Sequence, residues 1–426
     1  MDNTKKSNSL LLIIIGVMIY GPLLSRFFTE NFGVSYSIKV FFDIISIVMS
    51  ILGIFVLLAN KYILNNIIFK TWLFLMLILG IVIFASTLRN GISNFKIYSE
   101  GLFPLIRYAL AIFIGVIFVQ KSQIIKLFNF TEFLLIVNVL VMLIQYVFMG
   151  LEQDDIGGTF GNTAGVNAIQ NVLCIYVVIY ELCMFVNKKS SIKRLLFYLF
   201  ITLCIASLAE ITVFFGELIL IFGCFILFSK QIDFLKKIII LFGSILVLFL
   251  GVRFYLIIFP DRAFLLSWNN ILNYLGFNTA YGNTGVYTIS RIRPFYQLKN
   301  FFMMNNHTFW LGLNINVVSK SSLFYSLYNL RLHYDWFSST IVFLEIGFLG
   351  VLCFLSTWFL YLITGILCKN KNMWTYFGIF LSLINFILFF YNDSLTNMYT
   401  AYFIGIMSSI YIKDGKNKSK HNSTDL

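Results

Sequence analysis

At 426 residues, 59% of them hydrophobic and 12% charged, with a mean hydropathy of +0.88, the chain is too apolar to be a soluble globular domain. Its formal net charge of +13 would suit nucleic acid, but the basic residues stand as short clusters between apolar runs. That is the pattern of membrane topology and argues against a nucleic-acid partner. The six Cys lie within or at the ends of apolar runs without a CxxC pair, and the three His are far apart, so buried free thiols are expected and a metal site is not.

Apolar runs predict spanning helices near 10–24, 38–59, 67–88, 103–119, 131–149, 166–186, 195–210, 212–229, 237–259, 339–366, 373–390 and 396–412. Lys5 and Lys6 precede the first run, and Gly21-Pro22-Leu23-Leu24 follows it in place of a small-x-small cleavage site, so an uncleaved first span is expected. Twelve crossings bring both termini to one side, with Lys61, Lys70, Lys121 and Lys126 on that side. The cluster Lys188, Lys189, Lys193, Arg194 and the groups at 230–237, 369–371 and 413–420 share it, 18 of the 22 Lys in all. The positive-inside rule makes this face cytoplasmic and the chain a multi-pass membrane protein with both termini on that side.

The stretch 195–229 carries basic clusters on both flanks and Glu210 near its middle, which requires two crossings or a re-entrant hairpin. At 1.5 Å per residue, two spans of about 17 residues just suffice, and two spans are expected. Glu210 and Glu217 would share a face only on a continuous helix. Residues 260–338 form the one long loop, holding Arg262, Arg291, Arg293, Lys299, Lys320 and Arg331 among many aromatic residues, and should fold back onto the bundle. The expectation is therefore an all-α polytopic membrane protein with about twelve transmembrane helices, a single integral membrane domain over 1–426, and a large extracytoplasmic loop over 260–338. No internal repeat is found, which weakens a transporter built on inverted halves.

Eight of the nine Arg fall on the face opposite the lysines, where orientation by charge disfavours them. Arg offers a planar, bidentate fork for phosphate or carboxylate. In Ser290-Arg291-Ile292-Arg293-Pro294, two such forks could grip a diphosphate from two directions, or touch anionic headgroups. Arg107, early in the fourth span, is a third candidate, unless it only snorkels. His333-Tyr334-Asp335 closes the loop and Glu345 lies about two turns inside the next span, so His333, Asp335 and Glu345 are candidate catalytic groups that could activate a hydroxyl. Asp335 also reads as a helix cap with Ser338 and Ser339, and Glu345 as the ion-pair partner of an outer Arg. Asp43, Glu132 and Glu181 read as paired structural acids.

The acidic turn Glu152-Gln153-Asp154-Asp155 leads into Gly157-Gly158-Thr159-Phe160-Gly161-Asn162. With no strand before it and no GKS/T after it, this is not a nucleotide loop, and a solvated outer loop is expected. The Asp-x-Asp, HExxH, G-x-S-x-G and Rossmann patterns are all absent from the sequence. Group transfer here would neutralise a phosphate leaving group with Arg in place of a divalent ion, so neither a metal nor another cofactor is expected.

In layout the chain resembles the polytopic O-antigen and capsular polysaccharide polymerases (Wzy-type) of lipid-linked assembly, relatives of the O-antigen ligases. The resemblance covers most of the chain as topology. Locally it rests on Ser290-Arg291, then Trp310-Leu311-Gly312-Leu313-Asn314, then His333-Tyr334-Asp335-Trp336 running into Glu345-Ile346-Gly347-Phe348-Leu349-Gly350. It implies a metal-independent glycosyltransferase acting at the outer face on undecaprenyl-diphosphate-linked oligosaccharide, with a chain-length regulator as a usual partner. Arg291 would hold the diphosphate with Arg293 and Arg107, and His333 and Asp335 would activate the acceptor with Glu345 orienting. Some relatives carry a Ser-Arg pair where this chain has Ala209-Glu210-Ile211-Thr212-Val213. A ligase shares the layout, but the ligase-like His-Asn pairing is missing near the loop's end. A flippase or exporter of the same glycans would place charges along the spans, whereas most spans here have none.

Overall fold

The computed structural model describes residues 2–35, 38–59, 61–92, 95–151, 153–228, 234–260, 289, 291, 293–315, 336–368 and 371–414. Among these every regular element is helical: α1 (Asp2–Phe32), α2 (Ile38–Ala59), α3 (Lys61–Leu64), α4 (Ile67–Asn90), α5 (Phe95–Phe118), α6 (Lys121–Phe148), α7 (Asn167–Val186) and α8 (Ile192–Leu208). There follow α9 (Thr212–Phe228), α10 (Phe234–Ile258), α11 (Pro294–Phe301), α12 (Asn306–Leu311), α13 (Ser338–Leu367), α14 (Met373–Tyr391) and α15 (Met398–Asp414). Eight helical stretches, in α1, α2, α4, α5, α6, α7, α13 and α14, are long and apolar enough to cross a membrane, which makes this a multi-pass membrane protein by length and composition. The helices α8, α9 and α15 have 17 residues each, spanning about 26 Å at 1.5 Å per residue.

Local chemistry sets the helix ends. The Asn66 side chain accepts from the Ile68 and Phe69 amides at 2.9 and 3.4 Å to start α4, and Gly91 (φ 74°) stops it. Ser191 and Asn372 cap α8 and α14 in the same way. The stretch 195–229 is two helices, α8 and α9, joined by a turn with Glu210 at φ 54°, so Glu210 and Glu217 are not on one continuous helix.

The core is built around α7, 89% buried over its apolar window, whereas α4 is 22% buried and lies at the periphery. Polar bonds tie the centre together: the Tyr176 hydroxyl donates to Asn385 Oδ1 (2.7 Å) and Asn385 Nδ2 donates to Ser408 Oγ (3.3 Å), linking α7, α14 and α15. On the outside, α2 and α4 expose Phe41, Phe55, Phe74 and Phe84, which suits contact with lipid.

Inter-helix bonds sort the connections into two ends. At one, Asn66 Nδ2 donates to the Ile412 carbonyl and Lys413 Nζ to the Val119 carbonyl. At the other, Arg26 reaches Thr163 and Ala164, Tyr255 reaches Glu210, and the Ser338 amide reaches the Asn392 carbonyl. Of the long loop expected over 260–338, only 260, 289, 291, 293–315 and 336–338 are described, and His333, Asp335, Arg262, Lys320 and Arg331 lie outside the described residues.

Candidate functional site

The helix α13 is broken at Gly347 (φ 73°, ψ −172°). A break strips the preceding carbonyls of their helical N–H partners, and in an apolar interior those groups need others. The Leu344 carbonyl accepts from the Leu313 amide (2.7 Å), and the Glu345 carbonyl accepts from the Ser86 hydroxyl of α4 (3.1 Å). Leu313 follows Gly312 (φ 81°), which ends α12 with its amide on the Thr308 carbonyl (2.9 Å). The approach is so close that a Cβ at Gly347 would collide with the Trp310 carbonyl, and one at Gly312 with the Glu345 carbonyl. Trp310-Leu311-Gly312 and Glu345-Ile346-Gly347, related in sequence only by order, are thus in backbone contact. Phe309 stacks on Phe348 (5.4 Å, 26°) to close the joint, and Glu345 is buried beside it.

Arg291 lies between two aromatic rings. Its guanidinium carbon is 5.1 Å from the Phe337 centroid and 4.7 Å from that of Tyr391. At these distances each ring attracts the guanidinium by cation–π interaction, and a guanidinium carries the planar fork of donors that suits an anion. Phe337 precedes α13 and Tyr391 ends α14; their immediate successors are joined by the Ser338 amide donating to the Asn392 carbonyl (2.8 Å). Arg293 is exposed at the start of α11, with Pro294 next in the first helical turn and Phe295 packed on Phe343 (4.8 Å).

Arg107 is placed differently. Its Nε and Nη2 donate to Asp43 Oδ1 and Oδ2, both at 2.8 Å, and its Nη1 reaches the Thr396 carbonyl (3.3 Å). The Tyr402 hydroxyl also donates to Asp43 Oδ1 (2.6 Å). The fork of Arg107 is therefore engaged inside the bundle by a carboxylate. Arg291 and Arg107 approach the same short turn, 392–397, Arg291 through Tyr391 and Arg107 through Thr396. The sequence reading named neither that turn nor the aromatic pair. The turn-forming Asn392-Asp393-Ser394 signals a bend between the last two spans, but nothing in it points to Arg291.

Glu132 and Glu181 are paired, as expected of structural acids. Arg194 Nη2 contacts Glu132 Oε2 (2.7 Å), its Nε contacts Glu181 Oε1 (3.0 Å), and Ser190 donates to Glu181 Oε2 (2.9 Å). Glu217, fully enclosed, accepts from Asn171 Nδ2 (3.3 Å). The glycine-rich segment departs from expectation: it is not a solvated loop. Gly157, Gly158, Phe160 and Gly161 are buried. Gln145 accepts from the Gly158 amide (2.6 Å) and donates to the Gly158 and Gly161 carbonyls, while Asn138 accepts from the Thr159 amide (2.7 Å). Two polar side chains of α6 thus replace the water that the loop's backbone would otherwise need. Glu30, bound to Arg26 (2.8 Å), accepts from the Asn162 amide (2.6 Å) and ties the segment to α1. No protein-family model matches this chain, and no curated protein matches it either.

Proposed function

We propose that this protein is an oligosaccharide repeat-unit polymerase of the cytoplasmic membrane, with twelve crossings, both termini cytoplasmic and its chemistry at the outer face. Eight helices are long and apolar enough to cross a membrane, α8, α9, α10 and α15 overlap the other four apolar runs, and the alternation of lysine clusters along the sequence supports the orientation. The observation that carries the reading is Arg291, whose guanidinium lies against the rings of both Phe337 and Tyr391.

In the proposed reaction, a hydroxyl of one undecaprenyl-diphosphate-linked repeat attacks the anomeric carbon of the growing glycan. The new C–O bond forms as the bond to the diphosphate oxygen breaks, and the electron pair leaves with undecaprenyl diphosphate. Arg291, supported by Arg293, stabilises the charge on that leaving group. The acceptor proton passes to a carboxylate or imidazole, for which Glu345, Asp335 and His333 are the candidates. The lipid bilayer supplies both substrates, and a chain-length regulator is the expected protein partner.

The test is the ladder of surface glycan on a gel from cells lacking this protein. Collapse to single repeats on the surface supports polymerisation. Long chains left on undecaprenyl diphosphate would make it a ligase, and repeats trapped at the inner leaflet would make it a flippase.

A further inference from the structure

Two buried polar systems converge on the turn 392–397. From α5, Arg107 donates to the Thr396 carbonyl (3.3 Å), while Asp43 holds the rest of its fork and is itself fixed by the Tyr402 hydroxyl. From α13, Ser338 Oγ accepts from the Leu395 amide (3.1 Å) and lies 3.3 Å from the Thr396 hydroxyl. The Ser338 amide donates to the Asn392 carbonyl at the start of the same turn. Ser338 and Asn392 directly follow Phe337 and Tyr391, the two rings that enclose Arg291.

We infer that Arg107 and Ser338 are positioning residues for Arg291: they hold the 392–397 turn, the turn sets the separation of Tyr391 from Phe337, and that separation aims the Arg291 fork. The inference rests on Arg291 being the diphosphate-binding arginine of the proposed reaction. For Arg107 to bind phosphate itself, it would have to leave Asp43, whose side chain is 8% exposed, as a buried and uncompensated charge. Its reach to Thr396 needs no such rearrangement.

The experiment is a double-mutant cycle in the full chain, reconstituted in lipid nanodiscs with a short-chain polyprenyl-diphosphate-linked oligosaccharide as donor and a single lipid-linked repeat, blocked from acting as donor, as acceptor. One arm is Asp43→Asn with Arg107→Gln, which removes the ion pair without stranding a charge. The other is Ser338→Ala, which carries no charge and loosens the turn through the second system. Thr396→Val is the reserve, removing the hydroxyl near Ser338 but keeping the carbonyl that Arg107 reaches. Each arm should raise donor KM or lower turnover roughly tenfold to a hundredfold, as small misplacements of a binding group do. Acceptor KM should stay unchanged, and the combined variant should be no more impaired than the more damaging arm alone.

Effects that multiply would overturn the inference in favour of direct phosphate contact by Arg107. A lowered melting temperature with both donor KM and turnover unchanged would reduce both residues to packing. Arg291→Lys in the same assay separates the two readings. If that variant is impaired but the cycle is additive, only the positioning role falls; if it is unimpaired, the diphosphate reading and the positioning role fall together.

Discussion

Arginines in this bundle do different work according to what faces them. Arg291 lies against two rings, contacts worth about 0.5–2 kcal/mol each depending on desolvation. Tyr391→Leu should therefore raise donor KM severalfold while leaving the charge in place, and Arg291→Lys should cost more because a point charge replaces a fork. Steady-state kinetics on the reconstituted protein reads both, and equal effects would contradict a role for the fork. Arg194 faces Glu132 and Glu181 together. Breaking a fully buried pair costs about 3–5 kcal/mol, but Arg194 is 41% exposed, so Arg194→Ala should cost roughly 1–3 kcal/mol. Glu132→Gln, which relieves one of two crowded carboxylates, should cost less. A thermal melt in detergent that ranks the two variants the other way would refute this account of the cluster.

At the scale of elements, Gly347 is both a conformational and a steric requirement. Its φ of 73° strains any residue with a side chain, and the Trp310 carbonyl occupies the space a Cβ would need. Gly347→Ala should destabilise by roughly 2 kcal/mol or more and detach α12 from α13. Gly80→Ala, at a helical site with open space around it, should be neutral or slightly stabilising. Comparable melting temperatures for the two variants would show that the α12–α13 joint contributes little. The glycine-rich segment makes a parallel case. Gln145→Ala strands the Gly158 amide and the Gly161 carbonyl, a loss of about 1–3 kcal/mol concentrated in one segment. Hydrogen exchange at 157–161 should rise well above that of the flanking helices, and unchanged protection would mean the segment is held by packing alone.

For the whole molecule, the two sets of end contacts make a topological prediction. Thr163, exposed beside Arg26, and Ser190, beside Glu181, belong to opposite ends. Thr163→Cys should react with a membrane-impermeant maleimide on intact cells, and Ser190→Cys only after permeabilisation. The reverse pattern would invert the protein and place Arg291 on the cytoplasmic side, where lipid-linked repeats are not polymerised in the proposed route. Labelling of both on intact cells would break the alternation between α6 and α8.

Chain-local information determined the helical class, the position of the twelve long helices and the α8–α9 turn, because hydropathy, capping residues and charge clusters act over a few residues; α3, α11 and α12 it did not show. Asn66, Ser191, Gly91 and the lysine groups could all be read this way. The pairing of Asp43, Glu132 and Glu181 was also foreseeable, since an acid in an apolar helix needs a partner. The partners of Asp43 and Glu132 were not, because Arg107 and Arg194 lie 64 and 62 residues away from them in sequence. Trp310-Leu311-Gly312 and Glu345-Ile346-Gly347 could be ordered from the sequence, but their contact depends on a helix break that creates two needy carbonyls. The burial of the glycine-rich segment was missed for the same reason: Gly and Asn look like loop residues until Asn138 and Gln145 of α6 supply the hydrogen bonds of water. Tertiary structure alone decided that Arg107 faces a carboxylate and Arg291 faces two rings, since a side chain's partner is set by which helices pack together.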